Sequence, residues 1–186
     1  LMSVAQKHFQ DKISMSEMAD RQSVATKKKI ERLVNEVVEG RLPDKPKPTI
    51  MSIVKEIVDN LTGYGPLEPF FTGRDAHLIT EIIVRNYDHI MTEKEGKVSV
   101  ATDERGIPVR FQSEQHVTEV LERMLAPTGR RIDLSNPIVG ARLADGSRLQ
   151  AAIPPVAVEG TQITIRRFRQ DIGAEMLLQN RALNHE

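Results

Sequence analysis

The chain has 186 residues, and its 26 Lys+Arg balance 26 Asp+Glu. Zero net charge gives no general pull toward nucleic acid, and the absence of cysteine excludes disulfides and thiolate metal sites, which suits a reducing cytoplasm. No apolar run approaches the roughly 20 residues of a membrane span, and there is no secretory signal.

Residues 1–20 mix Val4, Phe9, Met15 and Met18 with polar residues and carry only a weak helical signal. From Val24 the pattern sharpens. Ile30, Leu33, Val34, Val37 and Val38 form one apolar stripe at helical spacing, predicted to stop at Gly40. Lys27, Lys28 and Lys29 precede the stripe as a solvated face, with an acidic partner or a membrane surface as the alternative. Residues 41–48 read as a stiff, proline-rich connector. Ile50, Ile53, Val54, Ile57, Val58 and Leu61 repeat the stripe up to Gly63, so residues 1–62 should pack as a small helical bundle.

Gly63-Tyr-Gly-Pro-Leu-Glu-Pro69 is a knot that neither a helix nor a strand interior should contain, and the domain boundary is placed there. Ile79 to Val84 reads as a buried strand. His89 to Glu93, the turn Glu95-Gly96 and Lys97 to Ala101 read as a hairpin. A helix capped by Ser113 carries Val117, Val120, Leu121, Met124 and Leu125, and Pro127 with Gly129 closes it. Three strands follow between Pro137 and Phe168. Strand, hairpin, helix and three strands predict an α+β domain over residues 63–170, one mainly antiparallel sheet with packed helices, followed by a linker over 171–186. The expected core is Ile82, Val84, Leu121, Leu125, Leu149, Ile153, Ile163 and Ile165.

The last three strands hold the one constellation with chemical potential. Period-two alternation puts Val139, Ala141, Leu143, Leu149, Ala151, Ile153, Ile163 and Ile165 on apolar faces, and Arg142, Arg148 and Arg166 on polar ones. A two-residue Asp145-Gly146 turn would mix the faces. A three-residue loop, Ala144-Asp145-Gly146, keeps them separate and sets Arg142 opposite Arg148. Two arginines in direct opposition repel unless an anion lies beside them. The plain alternative is that both splay into water or meet acidic partners. Residues 129–170 hold seven arginines and three acids. Arginine suits phosphate because its planar fork gives two charge-assisted hydrogen bonds at once.

Other chemistry is missing. No Gly-x-x-x-x-Gly-Lys-Ser/Thr loop occurs, and the histidines at 8, 77, 89, 116 and 185 show no metal-ligand spacing. No nucleophile elbow is present, and Glu119 and Glu122 read as solvated. With 4% aromatic residues the chain has no stacking platform for single-stranded nucleic acid.

Six motifs in one order carry a resemblance over residues 60–170. They are Gly63-Tyr-Gly-Pro-Leu-Glu-Pro-Phe70, Ile79-Thr-Glu-Ile-Ile-Val84, Gly129-Arg-Arg-Ile-Asp133, Ala141-Arg-Leu-x-Asp-Gly-Ser-Arg148, Ile153-Pro-Pro155 and Thr164-Ile-Arg-Arg-Phe168. Together they resemble the N-terminal domain of type II/IV secretion-system ATPases, closest to the CpaF/TadA-like branch of Tad (Flp) pilus assembly. The resemblance implies a PAS-like fold and a hexameric, cytoplasmic motor peripheral to the inner membrane. It also implies ATP and Mg2+ held with the family's C-terminal ATPase domain in the full-length protein, with none bound by this fragment alone. Implied partners are that domain, neighbouring subunits and inner-membrane platform proteins, with no nucleic acid. Leu1 in place of an initiator methionine and the unpunctuated end at Asn180 to Glu186 fit a fragment that lacks the Walker motifs and by itself hydrolyses nothing. The implied catalytic arginines are Arg148 and Arg166, with Arg142 and Arg167 as nucleotide-binding neighbours and no metal ligand. The competing expectation is a PAS-like scaffold module that holds a partner protein and never touches nucleotide.

Overall fold

The structure is a computed structural model that describes residues 12–14, 17 and 23–168. The weak helical signal of residues 1–11, Met15 and Met18, Arg169, and the linker at 171–186 lie outside the described residues. The chain divides into two compact units, Leu1–Pro69 and Phe70–Glu186.

In the first unit, α1 (Val24–Arg41) begins at Ser23, whose hydroxyl accepts the Thr26 N–H and satisfies one free donor of the first turn. Ile30, Leu33, Val34 and Val38 are buried together with Ile50, Val54, Ile57 and Leu61 of α2 (Lys47–Thr62) in one apolar cluster, while Val37 is half-buried. Two of the expected features need correction. The connector is shorter than residues 41–48, because Pro46 caps α2 and Pro48 sits in its first turn. A proline there removes only an N–H that would have no helical partner. The Gly63 to Pro69 knot also folds: Gly65–Leu67 forms a 3₁₀ turn, and α3 (Glu68–Thr72) takes Pro69 into its first turn. Gly63 leaves room for the Glu68 carboxylate, which accepts the Tyr64 N–H at 2.9 Å. Lys29 and Glu17 form an ion pair at 2.7 Å, so one of the three lysines has an acidic partner within the unit.

The second unit is built on a six-stranded sheet in the order β3-β2-β1-β6-β5-β4, with every pairing antiparallel. The strands are β1 (Ile79–Asn86), β2 (His89–Lys94), β3 (Lys97–Val100), β4 (Ile138–Arg142), β5 (Arg148–Ala152) and β6 (Gln162–Arg166). Glu95 and Gly96 both take positive φ between β2 and β3, the backbone that a tight two-residue hairpin requires. The first strand runs two residues beyond Val84. The fold is therefore α+β, with helices first and then the sheet. No helix among the described residues is long and apolar enough to cross a membrane.

One face of this sheet is closed. Ile82, Val84, Ile90, Leu149, Ala151, Ile163 and Ile165 are all buried, as are Val117, Val120, Leu121, Met124 and Leu125 of α4 (Glu114–Leu125). The unit has one long helix among the described residues, so the stripe and the sheet face seal each other. Ile153 is only half-buried, a correction to the expected core. It lies one residue past β5, where its N–H bonds to the Pro137 carbonyl and the strand periodicity has ended.

His116 is buried in the first turn of α4, its ring edge against Phe111 and its Nδ1 accepting the Gln112 N–H at 3.3 Å. Burial, with the charge of Arg123, holds its pKa below the ordinary 6.5, and Glu119 opposes the shift only in part. The neutral ring is therefore part of the folded state. Its stabilising contribution is present above the unfolded value and is lost as pH falls below it. The urea midpoint should fall between about pH 7.5 and about pH 5.5, before ordinary carboxylates titrate, and the fall should be smaller in His116→Asn. A midpoint equally pH-dependent in both proteins would place the effect elsewhere.

The helix stripe supports a second expectation. Leu121 is fully buried, so Leu121→Ala should cost about 2–5 kcal/mol in urea unfolding. A loss under about 0.5 kcal/mol, the range of surface substitutions, would place it outside the core.

Candidate functional site

The opposite face of the sheet is open, and the hairpin between β4 and β5 decides what it displays. Asp145 accepts both the Ser147 N–H (3.0 Å) and the Ser147 hydroxyl (2.8 Å). Gly146 takes φ +85°, the left-handed backbone that glycine adopts without strain. Its N–H reaches the Leu143 carbonyl, and the Leu143 N–H reaches the Ser147 carbonyl. That is a three-residue loop closed by a glycine bulge. It pairs Ala141 with Leu149 and Arg142 with Arg148. The closing Leu143–Ser147 pair is hydrogen-bonded, so the arginine pair beyond it is of the other kind, in which side chains stand closer.

The ladder continues. Arg148 pairs with Arg166, Arg166 with Glu81, Glu81 with Glu93, and Glu93 with Val98. One row across the open face therefore carries three arginines and then two glutamates. The three arginine side chains are exposed, and among the described residues none has a carboxylate within 4.0 Å. The acid nearest in register is Glu81, beside Arg166. Glu93 is engaged by the Thr80 hydroxyl at 3.0 Å.

Arg167 stands apart from this row. Being adjacent to Arg166, it projects to the other side of the strand. Its guanidinium lies 4.7 Å from the Phe71 ring centroid, donates to the Phe70 carbonyl, and approaches Asp145 at 3.8 Å. Its side chain is 15% exposed. Within the second unit, Arg167 thus ties Phe70, Phe71 and the Asp145 loop to the end of β6.

An open cleft of about 490 Å³ lies over β4 and β5. Thr128 and Arg130 line one side, and Gly140, Arg142, Arg148 and Gln150 line the sheet side. Thr128 fixes the turn that presents Arg130: its hydroxyl donates to the Leu125 carbonyl at 2.6 Å and accepts the Arg130 N–H at 3.3 Å, while Gly129 takes φ +70°. Sequence reasoning did not single out Arg130, Gln150 or Gly140 as site residues. Gly140 did carry a signal, because a glycine inside a strand costs about 0.5–1 kcal/mol relative to alanine and often marks a close approach.

Chemically, this donor set suits a phosphate. Guanidinium forks on adjacent strands offer charge-assisted hydrogen bonds to several oxygens of one anion. The set does not suit Mg2+, which needs oxygen ligands, and no group of three His, Asp or Glu among the described residues could hold a metal ion. Of the described histidines, His116 serves the core and His77 and His89 lie outside the row. Glu119 and Glu122 are exposed on the polar side of α4.

Two proteins named for conjugal transfer in Mycobacterium tuberculosis, one from strain CDC 1551 / Oshkosh and one from strain ATCC 25618 / H37Rv, are each 28% identical to the chain over 134 residues. These alignments take in 67% of this chain and 36% of each relative, so the chain spans little more than a third of their length. The VirB11 ATPase of the Brucella suis type IV secretion system, solved in complex with sulphate, superposes with a TM-score of 0.50 at 22% identity. That match covers 65% of this chain and 36% of that one, and it shows a shared fold. A family model described as type II/IV secretion system protein matches residues 72–183, more than half of the chain and all of the arginine-bearing sheet. The chain belongs to the type II/IV secretion system protein family.

Proposed function

We propose that this chain is the N-terminal, ring-forming part of a hexameric ATPase that powers pilus assembly or protein secretion, with the CpaF/TadA-like motors as its nearest kin. In this reading Arg148 and Arg166 reach the terminal phosphate of ATP and Mg2+ held by the C-terminal ATPase domain, which residues 171–186 would join to this one. Arg142 adds to ground-state binding, and Arg167 keeps the end of β6 in place. The motor works in the cytoplasm, against the inner-membrane platform through which its substrate passes.

The observation that carries this reading is the row of three exposed arginines in register, none of which has a carboxylate within 4.0 Å among the described residues. Repulsion across such a row is a standing cost to the isolated fold. An anion of high charge removes it, and phosphate accepts from all the forks at once. Placed where negative charge gathers as a phosphoryl group transfers, Arg148 and Arg166 would stabilise that charge more than they stabilise bound ATP.

The other half of the same face favours a second reading. Val98 and Val100 are exposed, and Ile83 and Met91 are half-exposed beside them in the outer rows. An apolar patch of this kind suits a partner protein, as a PAS-like scaffold module would require.

Kinetics of the full-length ATPase separate the two. Arg148→Ala and Arg166→Ala should lower kcat by about 10³–10⁵-fold while ring assembly persists. Arg142→Ala should act mainly on KM. Lysine at 148 or 166 should restore part of the loss, since it keeps the charge without the fork. Hydrolysis at the parent rate by both alanine variants would make the arginines structural and leave the scaffold reading in possession.

A further inference from the structure

The ladder between β5 and β6 ends on Arg148 and Arg166. Leu143 and Ser147 form a hydrogen-bonded pair, so Arg148, next along β5, turns its N–H and C=O toward β6. Its partner there is Arg166, and this pair is the last hydrogen-bonded rung. The next N–H of β6 that faces β5 belongs to Phe168, and in the same register it would meet Gly146. Gly146 is already in the turn, at φ +85°. The Ser147 hydroxyl stands in for the missing rung: it donates to Asp145 at 2.8 Å and accepts the Phe168 N–H at 3.4 Å. The Phe168 side chain rests on the turn itself, since a Cβ at Gly146 would stand 3.4 Å from its Cβ and Cγ.

The two sides of this strand end are held unequally. Toward β1, the Arg167 N–H donates to the Thr80 carbonyl at 2.8 Å, and its guanidinium donates to the Phe70 carbonyl and lies against the Phe71 ring. Toward the β4–β5 loop the ties are longer. They are the 3.4 Å bond to Ser147, the 3.8 Å approach of Arg167 to Asp145, and a Phe168 side chain that is 53% exposed. Arg148 and Arg166 repel each other across that weaker side. We propose that Ser147 and Phe168 form a clasp that keeps Arg166 beside Arg148, and that displacing the chain beyond Phe168 opens it. The β5 side then parts first: Arg166 moves with β1, and Arg148 stays with β4. Opening breaks the row between the two arginines, so the end of β6 regulates the site that it borders. That consequence rests on the phosphate reading of Arg148 and Arg166, whereas the clasp itself does not. Ser147 and Phe168 are positioning residues in this account and touch no ligand.

Amide hydrogen exchange on the 186-residue chain reads the clasp without any nucleotide. In Phe168→Ala and Ser147→Ala the Arg148 and Arg166 amides should exchange at least about fivefold faster, the effect of losing one hydrogen bond of ordinary net worth. The Arg167 amide, bonded to Thr80, and the Ile163 amide should keep the parent rate. Phe168→Tyr keeps the ring and should exchange as the parent does. Phe168 is at the surface, so its alanine variant decides the matter even where loss of the buried Ser147 hydroxyl unfolds the sheet. Unchanged exchange at Arg148 and Arg166, or equal quickening at Arg167, overturns the clasp. In the full-length ATPase the same alanine variants should lower kcat by roughly ten- to a hundredfold with KM nearly unchanged, and Phe168→Tyr should restore it. If kcat holds in the clasp variants while Arg148→Ala still lowers it, the regulation is overturned and the phosphate reading survives. If neither set moves kcat, the phosphate reading is what fails, and the regulation falls with it.

Discussion

The register of the hairpin between β4 and β5 is the constraint on which the rest of the second unit depends. A slip of one residue would turn Leu149 and Ala151 outward and drive Arg148 into the core. The loop prevents that slip by local means. Asp145 holds Ser147 twice, Gly146 supplies the left-handed step, and Leu143 closes the pair. Ser147 is fully buried, and its hydroxyl lies 3.4 Å from the Phe168 N–H, so the same turn also anchors the chain where it leaves β6. Arg167 adds a long-range tie by reaching from β6 to Asp145 and to the backbone of Phe70. One short loop thus aligns two strands and locates the end of a third.

Alignment has an electrostatic consequence. With the apolar residues committed to the closed face, Arg142, Arg148 and Arg166 fall into one row, and Glu81 and Glu93 continue it. The row is graded from positive at β4 to negative at β1 and β2. Each half is a like-charge arrangement that the fold tolerates because hydrophobic burial on the other face is larger. Val84, Leu149, Ile163 and Ile165 are each nearly or fully removed from water, and full burial of one such side chain is worth about 1.5–3 kcal/mol. Cross-strand charge pairs on an exposed face change stability by about 0.2–1 kcal/mol each. The sheet can therefore carry rows of like charge on its open face at a cost that the closed face outweighs.

Much of this was legible in the residues alone, and the parts that were not have physical reasons. Period-two alternation and a glycine in the third loop position were enough to place Arg142 opposite Arg148, because both signals are local. Arg167 reads only as a nucleotide-binding neighbour, and nothing in the alternation shows that Phe70, Phe71 and Asp145 would lie beside it. Neighbours brought together from distant segments leave no local trace. The insertion of β1 between β2 and β6, which sets Glu81 beside Arg166, depends on long-range pairing. Prolines misled at Pro46, Pro48, Pro66 and Pro69 because the rule against proline holds inside a helix and not in its first turn. Gly140 carried the general signal of a glycine inside a strand, but the open space beside it depends on segments distant in sequence.

The central claim is that the arginine row is repulsive when empty and becomes cooperative when a phosphate lies on it. Its sharpest test is the coupling between Arg148 and Arg166, from a cycle of Arg148→Gln, Arg166→Gln and the double replacement in urea unfolding of the chain at low salt. Without anion the two arginines should destabilise each other by about 0.2–1 kcal/mol. With saturating tripolyphosphate the coupling should change sign, each arginine then strengthening the contribution of the other. A coupling near zero in both conditions, or of the same sign in both, would contradict the claim.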